Sequence, residues 1–209
     1  MMKLIVVLFL ISAIDALSCA TCVLTSAMSA ATFVSGMVVP QQTSFTKGKT
    51  ATTMVALKNA RFYYDTTTWS VLSDEIPNEA VDYQFMHSDG NVRAIAMSLR
   101  EFVPMNEFID GFISGMQEDA PETKLLSRRD VKVNGSNMVE VKIEMVTPDA
   151  PIMYYGYLHT GAKGVSLALG LCHRDLFSEV EATIANFVSG LVIESPTPTP
   201  DKPAKKTKK

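Results

Sequence analysis

The stretch VKVNGSNMVEVKIEMVTPDAPIMYYGYLHTGAKGVSLALGLC, residues 131–172, has the pattern of a β-meander. Its charged residues Glu140, Lys142 and Glu144 alternate with apolar residues, which is the two-residue period of a half-buried strand. Upstream of them, Asn134-Gly135 favours a tight hairpin turn, because such a turn requires positive φ. We therefore predict consecutive antiparallel strands joined by short turns.

The last two strands of this stretch, separated by turn residues at 161–164, indicate where the sheet is deepest. Residues 152–158 are apolar or aromatic at both odd and even positions, so we predict a central strand that is covered on both faces. Residues 165–172 carry large apolar side chains on one face and small residues, including Ala168 and Gly170, on the other. Small residues permit close approach, so we predict a helix packed over Ala168 and Gly170.

Two segments have the period of amphipathic helices, residues 104–118 and 174–189. The side chains that we expect to be buried against the sheet are Phe108, Phe112, Ile184 and Phe187. Asp175 is a candidate N-cap or first-turn carboxylate, and Gly190 a candidate C′ residue. Residues 191–193 predict a short last strand.

Upstream of the first helix the pattern is again that of strands. Residues 61–64 and 69–71 flank a turn, and the strands at 81–86 and 92–99 form a hairpin around Ser-Asp-Gly-Asn. The predicted fold class is therefore α+β, an antiparallel sheet with helices packed on its faces, an α/β/α sandwich.

Composition sets limits on size and partners. The chain has 209 residues, of which 47% are hydrophobic, enough for one sizeable core. Its formal charge is −3, but residues 201–209 carry +4, so the remainder carries −7. An acidic body argues against nucleic acid as a partner.

The N-terminus has the parts of an export signal. Lys3 precedes a short apolar run and a small-x-small site, so residues 1–18 predict a signal peptide or an N-terminal membrane segment. The segment Ala-Leu-Ser-Cys resembles a bacterial lipobox, which makes Cys19 a candidate lipid-attachment site. Ordinary cleavage and an uncleaved anchor are the alternatives, and residues 20–39 form a second mildly apolar stretch. We expect residues 19–59 to be a low-complexity linker.

No catalytic or metal signature stands out. His87, His159 and His173 lack the spacing of metal ligands, and no nucleophile elbow, phosphate-binding loop or dinucleotide fingerprint is present. We therefore predict no catalytic residues, no metal site and no cofactor, and expect that the protein is not an enzyme. Cys172 ends an apolar strand and is expected to be a buried free thiol.

Two weaker patterns concern the surface. The acidic residues Asp74, Glu75 and Glu79 could hold Ca²⁺, although such clusters are usually only solvated. Asn134-Gly135-Ser136 matches the glycosylation acceptor pattern, although its role in a turn explains it equally well.

A binding surface, if present, should use aromatic residues. Trp69 and the run Tyr154, Tyr155 and Tyr157 combine apolar area with a polar group, which suits recognition as well as cores. We take Trp69, Tyr155 and Tyr157 as the candidate surface. In the alternative interpretation, Trp69 fills an open end of the core and the tyrosines lie beneath the helices.

The order of elements resembles the PsbP/DcrB-like group. The features that carry the resemblance are the opening Tyr-Asp-Thr-Thr-Thr-Trp-Ser-Val at residues 64–71, the hairpin and helix after it, the meander, and the closing Phe-Val-Ser-Gly-Leu at 187–191. The resemblance covers residues 60–193 and implies an α/β/α sandwich in an exported accessory or binding protein, several relatives being membrane lipoproteins. It supplies no catalytic residues. Residues 194–209, rich in Pro, Thr and Lys, are expected to be a disordered tail.

These observations predict a non-enzymatic binding or accessory module of the cell envelope, periplasmic or attached to the membrane through its N-terminus, with an unidentified protein or small-molecule partner. Two alternatives remain open. One is a small extracytoplasmic hydrolase whose residues are scattered in sequence. The other is a membrane-anchored structural protein.

Overall fold

The computed structural model describes residues 43–72 and 81–194. The strands and helices there follow the order that the sequence predicts, and two further short strands precede them. The strands are β1 Ser44–Phe45, β2 Thr53–Ala56, β3 Ala60–Tyr64, β4 Trp69–Val71, β5 Tyr83–His87, β6 Arg93–Leu99, β7 Lys124–Val133, β8 Ser136–Val146, β9 Pro151–Gly161, β10 Gly164–His173 and β11 Leu191–Ile193. The helices are α1 Met105–Asp119 and α2 Phe177–Val188, the latter preceded by a 3₁₀ turn at Arg174–Leu176.

The predicted meander forms the centre of the main sheet. In the described part of the chain this sheet has eight strands in the order β1-β7-β8-β9-β10-β6-β5-β4. The hairpin between β7 and β8 turns at Asn134 and Gly135, whose φ angles are 49° and 83°, as the two-residue turn requires. All neighbours in the sheet are antiparallel except β1, which pairs parallel to β7.

One helix covers each face of this sheet, so the predicted α/β/α sandwich is confirmed. Phe108 and Phe112 of α1 are buried with the aliphatic face of the meander, and Ile184 and Phe187 of α2 are buried on the opposite face. The small residues of β10 permit close packing there. A Cβ added to Gly170 would lie 2.3 Å from the Ile184 side chain, so the predicted helix does pack over this position.

A second, smaller sheet begins before the predicted domain boundary. β2 and β11 pair with β3 on either side, in the order β11-β3-β2. The expectation that residues 19–59 are linker is therefore wrong for 43–59, where β1 and β2 lie. These strands are short and only partly buried, so their sequence lacks a strong periodic pattern.

The ends of α2 agree with the prediction except for the N-cap. The N-cap of the preceding 3₁₀ turn is His173, whose ring nitrogen Nδ1 accepts from the N–H of Asp175 at 3.3 Å, so Asp175 is not the cap but the predicted carboxylate of the first turn. Gly190 follows the C-cap Ser189 and therefore occupies the predicted C′ position. A Cβ on Gly190 would lie 1.9 Å from the carbonyl oxygen of Tyr63, so this glycine permits close approach of the chain to β3.

Asn134 joins the meander to the rest of the fold. Its Nδ2 donates to the carbonyls of Ser189 and Leu191 at 2.7 and 2.8 Å, and its Oδ1 accepts from the N–H of Lys47 at 2.9 Å. The amide nitrogen that a glycan would occupy is thus engaged in the folded protein. The turn role of this residue, rather than its acceptor pattern, agrees with the structure.

Cys172 is buried and free, as predicted. Burial raises the pKa of its thiol to about 11, because the charged thiolate is disfavoured away from water. The thiol is therefore protonated and unreactive near neutral pH.

Candidate functional site

A cleft of about 390 Å³ opens where β3, β4, β5 and α2 meet. We call it the Trp69 cleft. It is lined by Thr50, Ala51, Tyr63, Tyr64, Asp65, Thr68, Trp69, His87, Ala182, Thr183, Asn186 and Phe187. Its volume lies at the lower end of the range of small-molecule sites, and its lining combines aromatic rings with a few polar groups, as such sites do.

The aromatic part of the cleft is held rigidly. The indole of Trp69 stacks on Phe187 at a centroid distance of 3.8 Å and meets the edge of His87 at 5.0 Å. Trp69 is only 5% exposed, so the rest of the ring belongs to the core. Phe187 in turn contacts Phe62 and Phe85, which connects the cleft to both sheets. The aromatic wall of the cleft is therefore packed between α2 and both sheets.

The polar part of the cleft carries a carboxylate in the turn before β4. The Asp65 Oδ1 accepts from the hydroxyl of Thr67 at 2.6 Å and from its backbone N–H at 2.9 Å. These bonds, with one from the Thr50 hydroxyl, hold the pKa of Asp65 below its usual range. Asp65 is therefore ionised near neutral pH and can accept hydrogen bonds from a ligand.

His87 also lines the cleft, opposite Trp69 in the β4–β5 pair, and has a carboxylate partner. Its Nδ1 lies 2.9 Å from the Oδ1 of Asp89. Burial alone would raise the pKa of Asp89, but hydrogen bonds from the N–H of Asn91 and from His87 outweigh it, and the pKa is lowered. The hydroxyls lining the cleft belong to threonines and tyrosines, Thr50, Thr68, Thr183, Tyr63 and Tyr64, and no Ser or Cys is among its described lining residues.

The sequence-predicted aromatic residues separate into two places. Trp69 lines the cleft, whereas Tyr155 and Tyr157 do not. The tyrosines are 2% and 0% exposed and lie beneath α2, so their rings offer no free area, as the packing interpretation expects. Tyr154 is buried on the α1 face, where burial raises its pKa to about 12.

The tyrosines instead belong to a network around the buried carboxylate of Glu140, which sequence analysis missed. The Arg129 guanidinium binds both carboxylate oxygens of Glu140, at 2.7 and 2.8 Å. The Tyr155 hydroxyl donates to Glu140 at 2.9 Å and lies 3.4 Å from the Tyr157 hydroxyl. Burial, followed by contacts with Tyr157 and Glu140, raises the pKa of Tyr155 well above its ordinary value.

Alternation along β8 placed Glu140 on the expected solvent face. That face is covered by α2, whose Glu181 binds Lys142 at 2.7 Å, and Glu140 is only 2% exposed. No local signal in the sequence distinguishes Glu140 from an exposed residue. The contact of Glu140 with Tyr155 and Tyr157 follows from the register of β8 against β9, which the sequence of β8 alone does not specify.

The three histidines lie in different surroundings. His87 lines the Trp69 cleft, and His159 lines a second cavity of about 270 Å³ near the β9–β10 turn. His173 caps the 3₁₀ turn before α2. Each of these two cavities is lined by one histidine, so the described residues bring no two of the histidines together in either of them.

Several predictions lie outside the described residues. They are the signal segment 1–18, Cys19, the apolar stretch 20–39, the acidic residues Asp74, Glu75 and Glu79, and the tail from residue 195. Across 43–72 and 81–194, no helix combines the length and apolar character that crossing a membrane requires. The same ranges hold no group of three or more His, Cys, Asp or Glu side chains placed to bind a metal.

Comparison with known proteins identifies the fold. The sequence matches no family model and no curated protein. The structure is similar to the solution structure of cyanobacterial PsbP (CyanoP) from Synechocystis sp. PCC 6803, with a TM-score of 0.51 and 11% identity over 70% of this chain and 95% of that one. It is also similar to PA94, a protein of unknown function from Pseudomonas aeruginosa, with a TM-score of 0.43 and 12% identity over 69% and 98% of the two chains. The similarity to cyanobacterial PsbP confirms the predicted PsbP-like fold.

Proposed function

We propose that this protein is an exported, membrane-attached, non-enzymatic binding or accessory module of the cell envelope, and that its ligand occupies the Trp69 cleft. The observation that carries the proposal is the cleft of about 390 Å³. Its lining includes both Trp69, which stacks on Phe187, and the ionised carboxylate of Asp65. The export signal in the sequence and the PsbP-like fold support the location and the accessory role.

The polar groups of the cleft favour a small ligand rich in hydroxyl and N–H groups. Asp65 accepts hydrogen bonds, Asn186 both donates and accepts, and the threonine hydroxyls do either. The ring of Tyr63, which lines the cleft and is only half-buried, suits the apolar face of such a ligand. A sugar has both properties, so we propose an envelope carbohydrate as the ligand class.

The cleft can be tested with an internal probe, because Trp69 is the single tryptophan of the chain. We expect N-acetylglucosamine oligosaccharides to change its fluorescence in a saturable way. Ala182→Arg should abolish the change, because Ala182 is exposed on α2 and lines the cleft. Ser178→Arg, one turn earlier and also exposed, is the matched control and should titrate like the parent.

Equal titration of the Ala182→Arg and Ser178→Arg variants would place the ligand elsewhere. No response to any oligosaccharide would contradict the carbohydrate class. Mass spectrometry of the same samples separates binding from turnover, and cleavage of the oligosaccharide would support the hydrolase alternative.

Export and attachment require a separate measurement. We expect the mature protein, purified from the membrane fraction of its own cells, to begin at Cys19 with a mass increase that corresponds to lipid. A Cys19→Ser variant should then shift to the soluble extracytoplasmic fraction or remain unprocessed. Cleavage without lipid, or an intact N-terminus, would respectively support the secreted and the anchored alternatives and contradict lipid attachment.

A further inference from the structure

The cavity of about 270 Å³ near the β9–β10 turn is built from residues of both sheets. We call it the His159 cavity. Strands β8, β9 and β10 of the main sheet contribute to its lining, as do the end of β11 and the turn between β2 and β3. None of its described lining residues also lines the Trp69 cleft. The His159 cavity is therefore a separate place on the molecule.

Hydrogen bonds join the two sheets around this cavity. Asn59, which is 7% exposed, donates from Nδ2 to the carbonyls of Lys163 and Val165 at 3.1 and 3.0 Å. Its Oδ1 accepts from the hydroxyl of Ser166. On the other side, the Lys163 Nζ donates to the carbonyl of Glu194 at 3.2 Å. The cavity is thus a formed feature of the fold.

The hydrogen bond of the His159 ring determines what its second nitrogen can do. Nδ1 lies 3.0 Å from the carbonyl oxygen of Asn137, which can only accept, so Nδ1 carries a proton. In the neutral ring Nε2 is then a hydrogen-bond acceptor. Among the described residues it has no hydrogen-bond partner. It lies beside Gly161, another lining residue, where an added Cβ would be 2.9 Å away.

Lys163 adds a positive charge to the lining. The Glu194 carboxylate, also in the lining, is paired with Arg61 at 2.9 Å. The Lys163 ammonium donates to a backbone carbonyl instead, and an ammonium has two further protons to donate. Ser136 contributes a hydroxyl, which can donate or accept. The cavity therefore combines a cationic donor, a hydroxyl and an acceptor nitrogen.

We propose that the His159 cavity binds a small hydroxycarboxylic acid. The carboxylate would accept from the Lys163 ammonium and the Ser136 hydroxyl, and the ligand hydroxyl would donate to Nε2 of His159. The volume of about 270 Å³ lies just below the usual range of ligand sites, so the ligand should have only a few carbon atoms. An acid without the hydroxyl would leave the acceptor nitrogen unpaired. An alcohol without the carboxylate would leave the ammonium without a counter-charge.

Nuclear magnetic resonance of the isotope-labelled full chain tests the site. We expect lactate or β-hydroxybutyrate to shift the amide signals of residues 161–164 in a saturable way. Propionate and butyrate are the matched controls, because they lack only the hydroxyl. Each should bind about tenfold more weakly or worse than the corresponding hydroxy acid, which corresponds to the loss of one hydrogen bond.

Two pairs of variants locate the site. Lys163→Met removes the ammonium and should weaken binding by about tenfold or more, as loss of a charged hydrogen bond does. Lys124→Met, at an exposed lysine of β7 outside the lining, should bind like the parent. Gly161→Ala should also weaken binding, because its Cβ displaces the imidazole while no polar group is removed. Ala182→Arg, which blocks the Trp69 cleft, should leave the affinity unchanged.

Several results would overturn the proposal. One is the absence of a saturable shift with both hydroxy acids. Another is equal affinity for the hydroxy acids and their matched controls, or for the Lys163→Met and Lys124→Met variants. Unchanged affinity in Gly161→Ala would exclude the imidazole from the site. Loss of the shifts in Ala182→Arg would place the acids in the Trp69 cleft instead.

Discussion

Replacing Phe187 by alanine is expected to destabilise the protein by about 3–5 kcal/mol, the usual cost of removing a buried phenylalanine ring. Phe187 is 4% exposed. The centroid of its ring lies 3.8 Å from that of Trp69, 4.9 Å from that of Phe62 and 5.1 Å from that of Phe85. The variant would leave a cavity where α2 and both sheets meet, so neighbouring groups cannot close it without moving an entire element. Urea denaturation followed by circular dichroism measures the change.

Phe102→Ala is the matched control, because it makes the same substitution at a ring that is 59% exposed. Surface changes of this kind usually alter stability by no more than about 0.5 kcal/mol. Equal midpoints for the Phe187→Ala and Phe102→Ala variants would mean that α2 does not pack as described. The Phe187→Ala variant should also shift the emission of Trp69, because it removes the ring against which the indole stacks.

The second large effect concerns the buried carboxylate. Replacing Arg129 by methionine is expected to cost about 3 kcal/mol, because it leaves a buried carboxylate without its cation. Glu140 is 2% exposed and, among the described residues, would retain the Tyr155 hydroxyl as its one hydrogen-bond partner. This value is at the lower end of the usual cost of breaking a buried ion pair. The Arg129 side chain is 53% exposed, so water could reach the carboxylate and replace part of the lost interaction. Chemical denaturation again supplies the measurement.

Two further variants separate the ionic pair from its surroundings. Arg128→Met changes the neighbouring arginine, whose exposed guanidinium donates to the Asn106 Oδ1 at 2.7 Å, and should cost less than about 1 kcal/mol. Arg129→Met combined with Glu140→Leu should recover most of the loss, because neither charge is then left unpaired. A double variant as unstable as Arg129→Met alone would show that the arginine acts through packing rather than through its charge.

The two faces of the sheet have different chemistry. The α1 side is filled mainly with aliphatic side chains and methionines of the meander, together with the stacked pair Phe108 and Phe112. The α2 side holds the aromatic cluster, the ionic network of Arg129 and Glu140, and the Trp69 cleft. The polar and cleft-forming residues are therefore concentrated on the α2 side of the sheet. Substitutions that test ligand binding should be made on that side.

Much of the fold could be predicted because its determinants are local. Two-residue alternation identified the meander, and Asn134-Gly135 located its first turn. The helical period identified α1 and α2, including the burial of Phe112 and Ile184. The small residues on one face of β10 also indicated where α2 would pack. At Gly170 a larger side chain would collide with Ile184 of that helix. In each case one segment carries its own periodic signal.

The sequence by itself thus determined the meander, both helices, the α+β class and the buried thiol of Cys172. Only the tertiary structure decided that residues 43–59 join the sheets, that Glu140 lies buried against Arg129, and that Trp69 lines a cleft with Asp65. The physical reason is the same in all three cases. Strand pairing, burial by a helix and cleft formation depend on residues far apart in sequence, and local periodicity contains no information about which distant segments meet.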